Sequence, residues 1–304
     1  MGYCLAVFAI WTGGFALAAD VVGGGVVASG GAGVAAPDDN VGITLNPGTL
    51  ALEERYDFAG LFRYGPDNGL EWGASAMDAR TSPYLALGLA YSGARIEPEL
   101  TQADLPGWIE QGAEISNQVR SHEFTTSAAV PLLDRRLSVG LGVAVGLFDT
   151  DRHGKYTSID GHVGVAARPI DGWVIGASGR NLLAVAPGDR PPQVWLGTRV
   201  LPSGGRGGAP REVPSFELDA GFEGWSAPSP LVAAGIEVPV SAAAVRGGFR
   251  YDSAGSAVTA GIGYTSAGGA IEYGLVVPLG DLRLGATVHQ VSVRFSAGSE
   301  IETP

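Results

Sequence analysis

The groups in this 304-residue chain that can carry catalysis or hold a metal are four histidines, one cysteine and 31 acidic residues. His122, His153, His162 and His289 fall in separate segments, none at the spacing of a metal-ligand pair. There is no G-x-S-x-G elbow for a serine nucleophile. Asp38 and Asp39 form a carboxylate pair of the kind that does acid–base work. Two adjacent side chains rarely face one reaction centre, however. Between Pro37 and Asn40 they read better as a turn cap and as salt-bridge partners of an arginine. Residues 21–36 hold only Gly, Ala, Val and Ser, yet neither G-x-G-x-x-G nor G-x-x-x-x-G-K-[ST] occurs there. The relaxed form ending in Ala, at Gly23–Ala28 and Gly31–Ala36, is expected by chance in such a run, and no strand–turn–helix pattern surrounds it. No catalytic residue, metal site or cofactor is expected.

The remaining charged residues recur at alternate positions. Arg55, Asp57 and Arg63 alternate with Tyr56, Phe58, Phe62 and Tyr64. Glu217, Asp219 and Glu223 alternate with Phe216, Leu218 and Phe222. Arg246 and Arg250 alternate with Val245, Phe249 and Tyr251, and Glu272 lies between Ile271 and Tyr273. A period of two, with one apolar and one polar or tiny row, describes strands wetted on one side only. About fourteen such strands fit the chain, an even number as in most single-chain bacterial barrels. They are expected near 54–65, 70–79, 83–94, 119–131, 136–148, 156–168, 172–182, 192–202, 214–223, 229–240, 243–252, 257–266, 269–279 and 282–296.

Composition decides where the apolar rows point. Mean hydropathy is positive and only 16% of residues are charged. After the N-terminus, however, no run reaches the ~18 apolar residues of a transmembrane helix. Aromatics gather near strand ends, among them Tyr56, Tyr64, Trp72, Tyr84, Tyr91, Trp173, Trp195, Trp225, Tyr251, Tyr264, Tyr273 and Phe295. Membrane barrels carry their interfacial girdles there. The alternative is a soluble sandwich with its greasy faces together. The pattern favours an all-β transmembrane antiparallel barrel, closed because open edges in lipid leave backbone groups unpaired. The mixed rows then line a lumen, where Arg55, Asp57, Arg63, Glu217, Asp219, Arg246, Arg250 and Glu272 pair with one another or hold what fills it. The net charge of −12 excludes a nucleic-acid partner.

Residues 1–19 read as a secretory signal with an apolar stretch at Leu5–Trp11 and small residues before Asp20. Cys4 lies within it, leaving a mature chain without thiols. Residues 20–53 are small and turn-rich, suited to the inside of a barrel. The barrel itself is expected over 54–296, followed by a tail at 297–304. The long insertion 96–118 places Leu105, Trp108 and Ile109 among acids, as a candidate ligand-capture loop at the outer mouth. The apolar phase slips between Val288 and Val291, which leaves room for a bulge. His289–Phe295 resembles the terminal signal read by the barrel-insertion machinery, an expected partner together with outer-membrane lipid.

The stretch GGAGVAAPDDNVGITLNPGTLA, residues 30–51, resembles the N-terminal hatch of the FadL-like outer-membrane proteins: a Gly/Ala lead, Asp-Asp, then Asn-Pro. A similar opening occurs in PorV-type relatives. Gly48 stands where the hatch pattern has Ala. A weaker echo is Asn181-Leu182, followed by Leu183 in place of Gly. The resemblance implies a Gram-negative outer-membrane location and passage of small hydrophobic solutes. It also implies a hatch of Gly31, Gly33, Asp38, Asp39, Asn46 and Pro47 that gates the lumen. Through the PorV-type relatives, it implies as alternative a barrel that holds or shuttles an unidentified protein partner without solute transport.

Overall fold

The computed structural model describes residues 23–65, 69–96, 119–150, 154–183, 190–201, 213–253, 255–266, 268–279 and 287–297. After a single-turn helix, α1 (Gly24–Ala28), and 3-10 turns at Asn40–Ile43 and Pro47–Ala51, every further element among the described residues is a strand. The strands are β1 (Tyr56–Gly65), β2 (Gly69–Asp78), β3 (Ala86–Ile96), β4 (Val119–Leu132), β5 (Leu137–Thr150), β6 (Gly154–Ile170) and β7 (Trp173–Arg180). They continue as β8 (Gln193–Val200), β9 (Ser215–Glu223), β10 (Ser229–Val240), β11 (Ala243–Asp252), β12 (Gly255–Ser266), β13 (Gly269–Pro278) and β14 (Val288–Ala297). All fourteen expected strands are present. Each pairs antiparallel with its sequence neighbours, and β1 pairs with β14 from Tyr56↔Ala297 to Tyr64↔His289, closing the ring.

Closure fixes which row faces where. Phe58, Phe62, Leu89, Leu141, Leu196, Leu218, Ile262 and Ile271 are exposed on the outside. Asp57, Arg63, Asp219, Glu272 and Gln290 are buried on the inside. Greasy surface outside and charge inside is the reverse of a soluble sandwich, and it is the arrangement that hydrocarbon requires. No described helix is long and apolar enough to cross a membrane.

The aromatic girdles are partly as expected. Trp173 donates from Nε1 to Thr198 Oγ1 at 2.8 Å near the rim where β1 begins, here the lower rim. At the upper rim Trp72 lies across Gly93, edge-on to His122, whose Nδ1 meets the Tyr91 hydroxyl at 2.8 Å. Tyr91 and Tyr273 sit mid-strand rather than at strand ends. Trp195 corrects the girdle reading: it shares the inner face of β8 with Arg199 and lines a cavity of the lumen. The bulge allowed for between Val288 and Val291 is absent, since β14 runs in unbroken register with both neighbours. The phase slips because Val288 is an apolar residue on the inner face, packed among Val26, Val27 and Val276. The actual irregularity lies between Ala167 and Ile170, beside Pro169, which has no N–H to give the ladder.

Leu141 tests the orientation. It is 64% exposed, with Val139 and Val143 beside it on the strand and Val163 across from it. Leu141→Arg should lower unfolding free energy in lipid vesicles by about 2–4 kcal/mol, measured by urea titration. No loss would place this face against something other than lipid.

Candidate functional site

Residues 23–52 fill much of the lumen. Their bonds reach walls on every side, so they are enclosed by the ring. The Gly24 N–H donates to Ser292 Oγ at 2.7 Å and Gly25 N–H to Glu272 at 3.0 Å. The Gly30 N–H donates to Thr259 Oγ1 at 2.9 Å, and that hydroxyl donates to Ala28 O at 2.8 Å. Asp219 accepts from Gly33 N–H at 2.7 Å and Val34 N–H at 3.0 Å. On the other side Ser127 Oγ donates to Ile43 O at 2.7 Å, and Asn40 Nδ2 to Ser75 Oγ at 3.1 Å. A segment too short and glycine-rich to satisfy its own backbone thus borrows partners from the wall.

The local sequence explains the path. Gly30 and Gly31 turn the chain with φ of +76° and +84°, and a Cβ on Gly30 would lie 2.7 Å from the Ala234 carbonyl oxygen. Asp39 caps the first 3-10 turn, accepting from Val41 N–H at 3.1 Å. Asn46 caps the second by accepting from Gly48 N–H at 3.0 Å, with Pro47 at the first position of the turn. The same Asn46 amide donates to Val34 O at 2.6 Å and to Val165 O at 3.2 Å, tying the segment to itself and to β6. Gly48 departs from alanine because a Cβ there would stand 2.7 Å from the backbone of Val165. The wall reciprocates with inward glycines: a Cβ at Gly164 would lie 2.8 Å from Gly48 N, at Gly274 2.8 Å from Gly24 O, and at Gly88 2.6 Å from Ile43.

The two flanks of the segment differ in chemistry. Ile43, Leu50 and Ala51 pack on Met77, Ala86, Ala90 and Ala129, while Leu52 and Ala35 pack on Ala166 and Val174. The opposite flank is ionic. Asp38 pairs with Arg199, which also holds Glu217 at 2.9 Å, and Arg294 donates to the Asp38 carbonyl. Next to it Arg246 bridges Glu237 at 2.6 Å and Glu272 at 3.0 Å. Burial pushes the Asp39 carboxyl above its ordinary value. The guanidinium of Arg294 opposes that rise, and Glu272 and Asp38 add to it. At the lower exit Arg135 donates to Glu54 at 3.0 Å and to the carbonyls of Ala51 and Ala79, and Arg168 holds Glu53 at 2.7 Å.

Above the segment lie two cavities. The larger, about 120 Å³, rests on Val27, Gly30, Gly31 and Leu45, with Leu231, Val276 and Val288 as apolar walls. The smaller, about 50 Å³, lies over Thr44 between β4 and β7, with Phe148 and Tyr156 stacked at 5.0 Å on one side and Asp160 and His162 among its polar groups.

The expected site residues distribute as follows. Gly31 borders the larger cavity, Gly33, Asp38 and Asn46 bond to the wall or to the segment itself, and Asp39 and Pro47 shape its turns. The lumen charges all face inward but divide by role. Arg55 pairs with Asp57 at 3.0 Å, Arg63 with Glu71 at 3.0 Å and Gln290 at 2.7 Å, and Arg250 with Asp252 at 2.6 Å. Asp219 and Glu272 instead receive the segment's amides, while Glu217 and Arg246 belong to the ionic flank. They do not converge on a reaction centre, and no group of His, Cys, Asp and Glu suited to a metal exists among the described residues. Leu105, Trp108 and Ile109 lie outside the described residues, as does the expected signal. Arg199, Arg294, Ser292 and Thr259 were not singled out by sequence reasoning. For Arg199 the inward phase of β8 was the available signal.

A closed fourteen-strand barrel with residues 23–52 folded into its lumen defines the class of fold. Within that class, the toluene transporter TbuX of Ralstonia pickettii superposes with a TM-score of 0.66 over 91% of this chain and 97% of its own, at 15% identity. The toluene transporter TodX of Pseudomonas putida does so at 0.65 over 92% and 97%, at 10% identity. A TodX deletion mutant described as a monoaromatic hydrocarbon channel gives 0.65 at 12% identity. The FadL-like fold expected from residues 30–51 is therefore the fold observed. No family model matches the sequence, and no curated protein matches it by sequence.

Asp219→Ala removes the acceptor of two amides, each worth about 1–3 kcal/mol if left unpaired while buried. Hydrogen exchange at Gly33 and Val34 should accelerate about ten- to a hundredfold with wall amides unchanged. The raised Asp39 carboxyl makes a second prediction. The folded state holds this proton more tightly than the unfolded chain, so its contribution is complete below the ordinary carboxylate value. It is lost as pH rises through the raised one. Exchange of residues 24–39, corrected for intrinsic rate, should report a looser segment across that window in the native protein and no such trend in Asp39→Asn.

Proposed function

We propose that this chain is an outer-membrane channel of a Gram-negative bacterium that passes small hydrophobic solutes, with residues 23–52 as its hatch. The observation that carries this reading is the larger cavity, with an apolar floor built from the hatch itself and apolar walls at Leu231, Val276 and Val288. A hydrophobic solute leaving water gains about 25 cal/mol for each Å² it buries there. The similarity to toluene transporters supports the same class of solute. In this reading Leu105, Trp108 and Ile109 capture the solute at the upper mouth, and it settles on Val27 and Leu45. Release follows a shift of the hatch around Gly31, Gly33, Asp38, Asp39, Asn46 and Pro47, with the ionic flank as the parting face. The geometry gives binding and passage without bond-making chemistry. No observation favours a barrel that holds a partner protein.

The test is uptake into vesicles with a lipopolysaccharide outer leaflet, which resists hydrophobic solutes. The reconstituted protein should speed entry of a small hydrophobic solute over protein-free vesicles. Val27→Asp combined with Leu231→Asp should reduce that entry several-fold, and deletion of residues 21–36 should admit small polar solutes. Hydrophobic entry equal to that of empty vesicles overturns the reading.

A further inference from the structure

The two cavities share one lining side chain, Arg180, the last residue of β7. It is only 5% exposed, and its Nη1 donates toward Gln193 Oε1 at 3.5 Å. Its position is set from the next residue. Asn181 takes φ +56°, which asparagine tolerates, and donates from Nδ2 to Pro191 O at 3.1 Å, while Leu182 N–H reaches Gly161 O at 3.1 Å. A solute resting in either chamber, or crossing between them, does so beside this guanidinium.

The size and charge of the lining narrow what that solute is. A cavity of about 120 Å³ is close to the ~150 Å³ that takes up benzene in an engineered core, so it suits a single ring. The apolar part of the lining, Val27, Leu45, Leu231, Val276 and Val288, takes the ring face. A smaller part is polar, and a plain hydrocarbon offers those groups no hydrogen bond. The two linings together carry four arginines (Arg63, Arg180, Arg190, Arg250) and four carboxylates (Glu123, Asp160, Glu223, Asp252). Arg190 is paired with Glu123 at 3.0 Å, Arg250 with Asp252 at 2.6 Å and Arg63 with Glu71 at 3.0 Å. In the larger chamber Arg63, Arg180 and Arg250 are thus met by Glu71, Glu223 and Asp252, which leaves no surplus of positive charge to draw in an anion. Guanidinium is a donor only, so the complementary group on the ring is a neutral oxygen acceptor.

Resting on the transport reading above, we propose that Arg180 is a specificity-determining residue and that the chamber selects neutral single-ring aromatics bearing a hydroxyl or ether oxygen over the corresponding hydrocarbons. The ring sits on the hatch floor, and its oxygen accepts from Arg180.

Equilibrium dialysis of the full chain in nanodiscs, against protein-free nanodiscs, tests this with radiolabelled 4-methylphenol, toluene and 4-methylbenzoate. The expected result is binding of 4-methylphenol at least about tenfold tighter than toluene and than 4-methylbenzoate. Arg180→Leu should erase the preference by weakening the phenol and not toluene, and Arg180→Lys, which keeps a cationic donor, should retain part of it. Retention of the fold is read from heat-modifiable migration on gels. If Arg180→Leu fails to insert, the wild-type ranking and the Lys variant decide. Equal affinity for phenol and toluene, preference for the carboxylate, or an Arg180→Leu protein that still prefers the phenol overturns the proposal and leaves passage of hydrophobic solutes standing. Failure of all three compounds to bind above protein-free nanodiscs overturns both.

Discussion

Hydrocarbon offers no hydrogen bonds, and the rest of this structure follows from that. Every amide and carbonyl in the wall must find its partner in the next strand, so the sheet has to close on itself, and β1 meets β14 to do so. Closure encloses a space. The space is lined by whatever the inward row supplies, and here that row is rich in glycine, serine and charge. An interior of buried charge is stable only if each charge has a partner. Some partners lie on the neighbouring strand, as Arg63 and Glu71 do, and others come from the N-terminal segment. That segment is in turn unable to satisfy its own backbone, so wall and filling complete each other.

This mutual dependence divides the lumen into filled and open parts. Where the segment meets the wall, glycine on both surfaces brings backbone within contact of backbone, and Asp219, Glu272, Ser292 and Thr259 meet amides that would otherwise be orphaned. Beside it a space stays open, floored by Val27 and Leu45. The apolar flank built on Ile43, Leu50 and Leu52 and the ionic flank built on Asp38 differ in how they come apart. Apolar packing reforms with any slide that keeps area buried, whereas a buried ion pair is either made or costly to break.

Much of the wall was legible in the sequence, because a half-wetted strand writes its orientation into every second residue. The row Tyr56, Phe58, Phe62, Tyr64 against Asp57 and Arg63 is enough to place β1 and both of its faces. Reading failed where an inward residue is apolar for a reason that lies elsewhere in the chain. Val288 and Trp195 face the lumen because the filling and a cavity meet them there, and nothing within β14 or β8 says so. In the candidate site the turns were readable, since Asp39 and Asn46 act on residues two positions away and Pro47 opens its turn. The partners of the segment were not. Asp38 and Arg199 are 161 residues apart, and Arg294 and Asp38 are 256 apart, distances over which a single sequence carries no local signal.

The glycines facing Gly24, Ser29, Gly30, Ile43 and Gly48 leave no clearance between lining and contents. A rod cannot be slid into a sleeve that has been cast around it. The N-terminal residues precede the whole ring in the chain, and the seam between first and last strands is the join that shuts it. Lining and contents are matched as a casting is to its mould, so a change in the outline of either must be answered by the other.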